Sequence, residues 1–272
     1  MKPIQVIAAL GLAVISIPSF AQEKGKGKKV KYISISPNAI KIGNDSADLE
    51  AKKEEKPFEI EVGMVELGIN ALRDQTDYNS QEAKNFLRVD ATQKNENLFT
   101  LDNAKSINVN VYPILAKFRL SKTEKQKIYL STGVGLQMYN FRFSKDIVYV
   151  DSTPSITMSP VPFTKNKLAF TYLSVPLMAT FKTKLAEKAW LVYGVGITGG
   201  YRIASWTKHV SGEEGKVKNH DKFNFSDFNS CLTAEIGLDN YFRLYASYQL
   251  TPMHENALVQ NPYCIGFRIG GM

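Results

Sequence analysis

Cysteine is almost absent from this chain, with only Cys231 and Cys264 among 272 residues, and histidine is nearly as sparse, with His209, His220 and His254. Two separated thiols and three scattered imidazoles give no metal-ligand spacing, so no metal site and no cofactor are expected. A disulfide is not expected either. The two cysteines fall on strand candidates with a whole strand between them, roughly twice the 4.8 Å inter-strand spacing and too far for an unstrained bridge. After the N-terminal segment there is no run of about 18 apolar residues, which excludes spanning by helices. Mean hydropathy is slightly negative. That value fits a soluble chain, but it also fits strands that turn one face to lipid and the other to a polar interior.

The first residues set the compartment. Lys2 precedes an apolar stretch from Ile4 to Ile17, and Ser19-Phe20-Ala21 is a small-x-small site before Gln22. Residues 1–21 therefore read as a cleaved signal peptide, since the apolar core is short for an anchor and Pro18 breaks it. Residues 22–57 are a different material. Lys24, Lys26, Lys28, Lys29 and Lys31, interspersed with Gly25 and Gly27, make a basic tract expected to be a flexible periplasmic segment. Only Tyr32 to Ser36 alternates there, as a brief strand for a partner or the barrel rim. The basic tract could meet anionic lipid or protein; nucleic acid is not an expected partner of an exported chain.

What is abundant from residue 58 to 272 is two-residue alternation. Eight segments carry it: Phe58–Leu72, Ser106–Ser121, Ile128–Ser144, Lys167–Lys182, Ala189–Ser205, Phe228–Leu238, Tyr241–Pro252 and Pro262–Met272. Short turns at 121–127, 183–188 and 239–240 alternate strictly with long polar connections at 73–105, 145–166, 206–227 and 253–261. Asp239-Asn240 suits a two-residue hairpin. The pattern predicts an all-β fold, an eight-stranded antiparallel up-and-down transmembrane β-barrel in the outer membrane. Its short turns and both termini are expected in the periplasm and its long loops outside. A soluble ligand-binding barrel would turn its apolar face inward. Here one face carries Val65, Leu67, Ile69, Tyr112, Ile114 and Phe118, and the other carries the charges and small residues. Aromatics near strand ends (Tyr139, Phe141 and Phe143; Phe181 and Trp190; Tyr201 and Trp206; Tyr241 and Phe242) are expected to form an interfacial girdle.

Inward parity selects a lumen cluster of Glu66, Lys117, Arg119, Arg202, Glu235, Arg243 and Arg268. An eight-stranded barrel is filled by its own side chains, so these charges are expected to pair as a plug rather than line an anion path. Glycines 133, 135, 194, 196, 199 and 200 lie inside alternating segments rather than between a strand and a helix. They are expected to make room for facing side chains rather than cradle phosphate. Pro176 inside a strand predicts a bulge. His209 and His220 share a loop with Ser211, Glu213, Glu214 and Asp221, and His254 stands beside Glu255. Both groups read as solvated polar loops, and no catalytic residue is assigned.

Several segments are similar to the PorT-like family of outer-membrane β-barrels. Tyr172-Leu173-Ser174-Val175-Pro176-Leu177 resembles the family's Tyr-Leu-x-x-Pro-Leu strand. Thr132-Gly133-Val134-Gly135-Leu136 with Tyr139-Asn140-Phe141-Arg142-Phe143 resembles the strand before it. Leu244 to Pro252 and Ile265-Gly266-Phe267-Arg268-Ile269 are similar to its last strands. The resemblance implies an outer-membrane location and no catalytic residues. The expected function is a non-enzymatic structural, adhesive or assembly role, in contact with outer-membrane lipid and lipopolysaccharide. Two alternatives are an accessory component of type IX secretion or gliding machinery, with a periplasmic or machinery partner, and a membrane-embedded lipid-modifying enzyme.

Overall fold

The computed structural model describes residues 32–36, 39–43, 57–187 and 189–271. The signal segment at 1–21 and the lysine tract that follows it lie outside the described residues. The brief strand expected at Tyr32–Ser36 is present as β1, and it pairs antiparallel with β2, Ala39–Gly43.

The eight expected strands are all present. In chain order they are β3 (Phe58–Asp74), β5 (Ile107–Lys122), β6 (Gln126–Phe143), β9 (Lys165–Ala186), β10 (Ala189–Ser211), β12 (Phe228–Leu238), β13 (Arg243–Gln249) and β14 (Gln260–Gly270). Each pairs antiparallel with the next, and β14 pairs back onto β3, so the sheet closes. Closure leaves no strand edge in this ring, the condition for a sheet to cross lipid. Side chains at alternate positions then divide. Val65, Leu67, Ile69, Val175, Ile197 and Ile265 are exposed on the outer wall. An apolar belt of this extent is unfavourable against water and favourable against acyl chains. The outer girdle is present at Tyr201, Tyr241 and Phe242, all exposed.

The long connections are not simple polar loops. The first contains α1 (Gln81–Phe86), β4 (Leu87–Arg88) and three 3₁₀ turns. Ser80 caps α1 by accepting from the Ala83 amide at 3.2 Å, which satisfies one of the free donors of the first turn. The second contains β7 (Ile147–Val150) and β8 (Ser155–Met158), which with β4 make a small three-stranded sheet. In the third, β10 runs six residues beyond its expected end and pairs with β11 (Gly215–His220), so a hairpin stands beyond the barrel rim.

Three expectations, two about facing and one about a bulge, are corrected. Tyr112 points into the barrel, 2 % exposed, rather than outward. Facing reverses at Pro113: Asn108, Asn110 and Tyr112 are buried on one side of it, Leu115 and Lys117 on the other. β3 reverses at the same level, where Gly63 has φ +82°. Tyr139, Phe141 and Phe143 are not girdle residues; they are buried inside, because they continue the inward parity of Gln137. Pro176 makes no bulge. The β9–β10 register runs through it unchanged, and towards β6 the ladder only lapses between Thr132↔Leu177 and Gly135↔Ser174. The missing donor is accommodated by leaving bonds out, not by inserting a residue.

Candidate functional site

The lumen divides into a charged half near the short turns and an aromatic half near the long connections. In the charged half Arg268 is the hub. It donates from Nε to Glu66 Oε1 at 2.7 Å and from Nη1 to Glu235 Oε2 at 2.8 Å. Arg243 Nη1 reaches the same Glu235 oxygen at 2.8 Å. The remaining carboxylate oxygens are also engaged: Asn110 Nδ2 donates to Glu66 Oε2 at 2.6 Å and Thr180 Oγ1 to Glu235 Oε1 at 3.1 Å. Arg243 Nη2 donates to the carbonyl of Gly270, which ties the end of β14 into the cluster. Buried charges survive only with such compensation, since a single unpaired ion costs several kcal/mol.

A second ionic layer lies nearer the turns. Lys117 Nζ meets Glu61 Oε1 at 2.9 Å and Lys182 Nζ meets Asp239 Oδ1 at 2.7 Å. Both ammonium groups lie over the Tyr129 ring, at 4.5 and 5.7 Å from its centre. The space left among Glu61, Lys117, Lys182, Glu235, Arg243 and Arg268 is a cavity of about 20 Å³, room for about one water. The glycines at 133, 135, 194, 196 and 200 make room as expected, whereas Gly199 has nothing within 4 Å of its Cβ position and makes room for no facing side chain. A Cβ on Gly135 would stand 2.3 Å from Tyr112 Cδ1, and one on Gly194 would stand 3.0 Å from Glu235 Oε1.

Of the residues selected from the sequence, Glu66, Glu235, Arg243 and Arg268 form one cluster, and Lys117 belongs to the layer below. Arg119 is only partly buried, near the turn end. Arg202 is separate, at the far end of the barrel. It donates to Ser205 Oγ at 2.9 Å, to the Phe225 carbonyl at 2.9 Å and to Asp227 Oδ1 at 2.7 Å. Glu61, Lys182 and Asp239 were not anticipated. The parity reversal at Gly63 concealed Glu61, whereas Lys182 follows from Phe181 facing outward.

The other half holds one apolar core. Lumen-facing Tyr139, Phe141, Phe170 and Tyr172 are continuous with Phe86, Ile147, Tyr149, Ile156, Phe223 and Phe225 from the long connections. His254 is buried inside this core rather than in a solvated loop. Its ring stacks on Tyr149 at 6.1 Å and lies 4.9 Å from Phe225, and neither ring nitrogen has a hydrogen-bond partner. Burial holds it neutral, with its pKa pushed down to about 3, although the charge of Asp74 pulls the other way. His209 stacks flat on Phe163 at 4.6 Å, and the Ser211 hydroxyl accepts the Glu214 amide at 3.0 Å. Cys231 and Cys264 are free and buried, within 3.5 Å of the hydroxyls of Tyr139 and Tyr245 respectively.

A closed eight-stranded sheet, apolar outside and ion-paired inside, defines a membrane β-barrel. The chain belongs to the family described as outer membrane protein beta-barrel domain, whose model matches residues 52–254. It is therefore an outer-membrane β-barrel protein. No curated protein matches the sequence. Among solved structures it is similar to Ail, the attachment invasion locus protein of Yersinia pestis, at 9% identity and TM-score 0.27, over 77% of this chain and 98% of that one. The structure of Ail in complex with the heparin analogue sucrose octasulfate matches at 10% identity and TM-score 0.28, with the same coverage.

Proposed function

We propose that this chain is a non-enzymatic outer-membrane platform, in which the barrel is the anchor and the folded long connections form a shaped surface outside the cell. The observation that carries this reading is the single core joining the lumen to the connections. Chain of this length over a barrel mouth orders only if it buries enough apolar surface to offset its conformational entropy. Here Phe86, Tyr149, Phe223 and Phe225 supply that surface. A rigid surface of connections on a rigid barrel suits adhesion or assembly, since recognition residues concentrate on loops held by a scaffold. The lumen supports an anchor rather than a pore, because paired charges fill one half and aromatics the other. The alternative of a type IX secretion or gliding accessory rests on the PorT-like resemblance, and it places the partner at the periplasmic end.

Orientation and partner side are tested together in intact cells. Single cysteine reporters at Glu96, Thr153 and Glu213, all exposed at the connection end, are expected to react with an impermeant thiol reagent. One at Glu187, exposed at the turn end, is expected not to react. Photo-cross-linkers at the same four positions then show where partners sit. Adducts from Glu96, Thr153 or Glu213 support the outward platform. Adducts from Glu187 alone would support the machinery accessory instead, and reversed labelling would overturn the orientation.

A further inference from the structure

Basic residues align across the outer wall of the protruding hairpin. Strand pairing sets Arg142 opposite Lys167, Lys167 opposite Lys208, and Lys208 opposite Lys218, so one row of cations crosses β6, β9, β10 and β11. Lys165 and Lys216 stand on either side of Val210 in the next row. All face outward, since their neighbours Phe141, Phe143, Asn166, Leu168, Thr207 and His209 are buried inside. Like charges directly opposite one another destabilise a sheet. None of the ion pairs found among the described residues involves this row. Three of the side chains are nevertheless held in place. Lys167 and Lys218 place their ammonium groups 4.9 and 4.3 Å from the centre of the Trp206 ring, and Arg142 donates to the Thr164 carbonyl at 2.6 Å. A partly positioned row of cations that forms no salt bridge is a receptor for a polyanion.

We propose that this row binds phosphate groups carried on the sugar headgroup of the surrounding outer-leaflet glycolipid. The position selects a lipid, because the row looks sideways from the barrel wall, above the exposed Tyr201, Ile203 and Phe228. Height selects the kind of lipid. Lys208 is five residues beyond Ile203 on β10, roughly 16 Å of strand. With strands tilted by about 45°, that is about 12 Å above the apolar belt. A phospholipid headgroup layer is only about 5–8 Å thick on each side, so its phosphates lie below the row. Phosphates on a thicker sugar headgroup reach it. Three phosphate oxygens facing several ammonium groups would also remove the repulsion within the row. This inference rests on the outward orientation of the long connections proposed above.

The test uses the full chain purified in detergent, so the binding measured does not depend on orientation in cells. Binding is titrated with lipopolysaccharide, with enzymatically dephosphorylated lipopolysaccharide, with phosphatidylglycerol and with a soluble sulfated polysaccharide. The triple variant Lys167→Gln, Lys208→Gln, Lys218→Gln is expected to bind lipopolysaccharide at least tenfold more weakly than the parent. Dephosphorylated lipopolysaccharide is expected to bind the parent as weakly as it binds the variant. The pair Lys125→Gln, Lys184→Gln at the turn end is expected to bind like the parent. Heat-dependent gel mobility reports folding, and the exposed-face single variant Lys208→Gln supplies the comparison if the triple variant does not fold. Equal lipopolysaccharide binding by parent and folded variant would overturn the proposal. So would tighter binding of phosphatidylglycerol or of the soluble polysaccharide. Reversed surface labelling together with the expected binding would leave the row's affinity for phosphate standing and overturn both the orientation and the outer-leaflet assignment that rests on it.

Discussion

Gly63 and Pro113 stand at the same level of adjacent strands: Val62 pairs with Ile114 and Met64 with Tyr112, and both strands reverse their facing between those pairs. Because the two irregularities coincide, the β3–β5 register is the same above and below them. Their consequence is the layout of the lumen. Glu61 and Lys117 face inward below this level, and Glu66, Asn110 and Tyr112 face inward above it. Gly63 has φ +82°, and a Cβ there would meet nothing within 4 Å. Gly63→Ala is therefore expected to cost about 1–2 kcal/mol through backbone strain alone. Gly199 also has open space around its Cβ position but lacks a positive φ, so Gly199→Ala is the matched control and is expected to change stability little. Urea unfolding in detergent measures both, and equal effects would show that the left-handed backbone at Gly63 is not what sets its cost.

Glu235 compensates two arginines at once, with 2.8 Å contacts to Arg243 and Arg268. Glu235→Gln keeps the shape and removes the charge. The expected loss is about 3–5 kcal/mol, because a cation remains buried without its partner. A change that removes both charges, Glu66→Gln with Arg268→Met, is expected to cost less than the sum of its two single variants. In planar bilayers the parent is expected to carry no steady current, since the ionic layers leave room for about one water. Unchanged stability of Glu235→Gln together with an anion-selective current in the parent would show that the cluster lines a path.

The strand number, the order of short and long connections, and most facings were legible because a half-lipid, half-polar strand must alternate with period two. The reading failed where one residue resets that period. Gly63 and Pro113 are single residues, and nothing near them in the sequence separates a reversal of facing from a tolerated glycine or an edge proline. Glu61 was lost for that reason. Pro176 failed in the opposite direction, since an omitted hydrogen bond and an inserted residue look alike in one dimension. The folding of the long connections was hidden by scale. α1 has six residues and β4 has two, too short for a periodic signal, and Phe223 and Phe225 sit among Asp, Lys and Asn. Their burial is decided by the aromatic lumen walls of β6 and β9, far away in the chain.

His254 couples this apolar core to pH. The imidazole titrates near 6.5 when unfolded and near 3 when folded. As pH falls below about 6.5 the unfolded chain takes up the proton first. Stability contributed by the neutral ring is therefore full above that pH, is lost on acidification, and stops changing below about 3. The slope is about 1.4 kcal/mol per pH unit within the window. Other groups titrate there too, so the measurement is the difference between parent and His254→Phe in unfolding free energy across that range. The variant is expected to lose the dependence, and parallel curves would show that His254 does not contribute it.

Arg202 ties the third long connection to the barrel wall through the Phe225 carbonyl, the Ser226 carbonyl at 3.2 Å, and Asp227. Two of these anchors are main-chain carbonyls and one is a carboxylate, all on the segment that delivers Phe223 and Phe225 into the core, and a guanidinium makes all three from one planar group. Arg202→Lys keeps the charge but cannot span the set. It is expected to loosen the 221–227 segment while leaving the barrel closed, because the ionic layers at the turn end are untouched. Limited proteolysis of intact protein in detergent should then cut within 221–227 several-fold faster than in the parent, with heat-dependent gel mobility unchanged. Faster cutting accompanied by loss of that mobility shift would mean that the anchor supports the whole barrel. Unchanged cutting would mean that the aromatic core alone holds the segment.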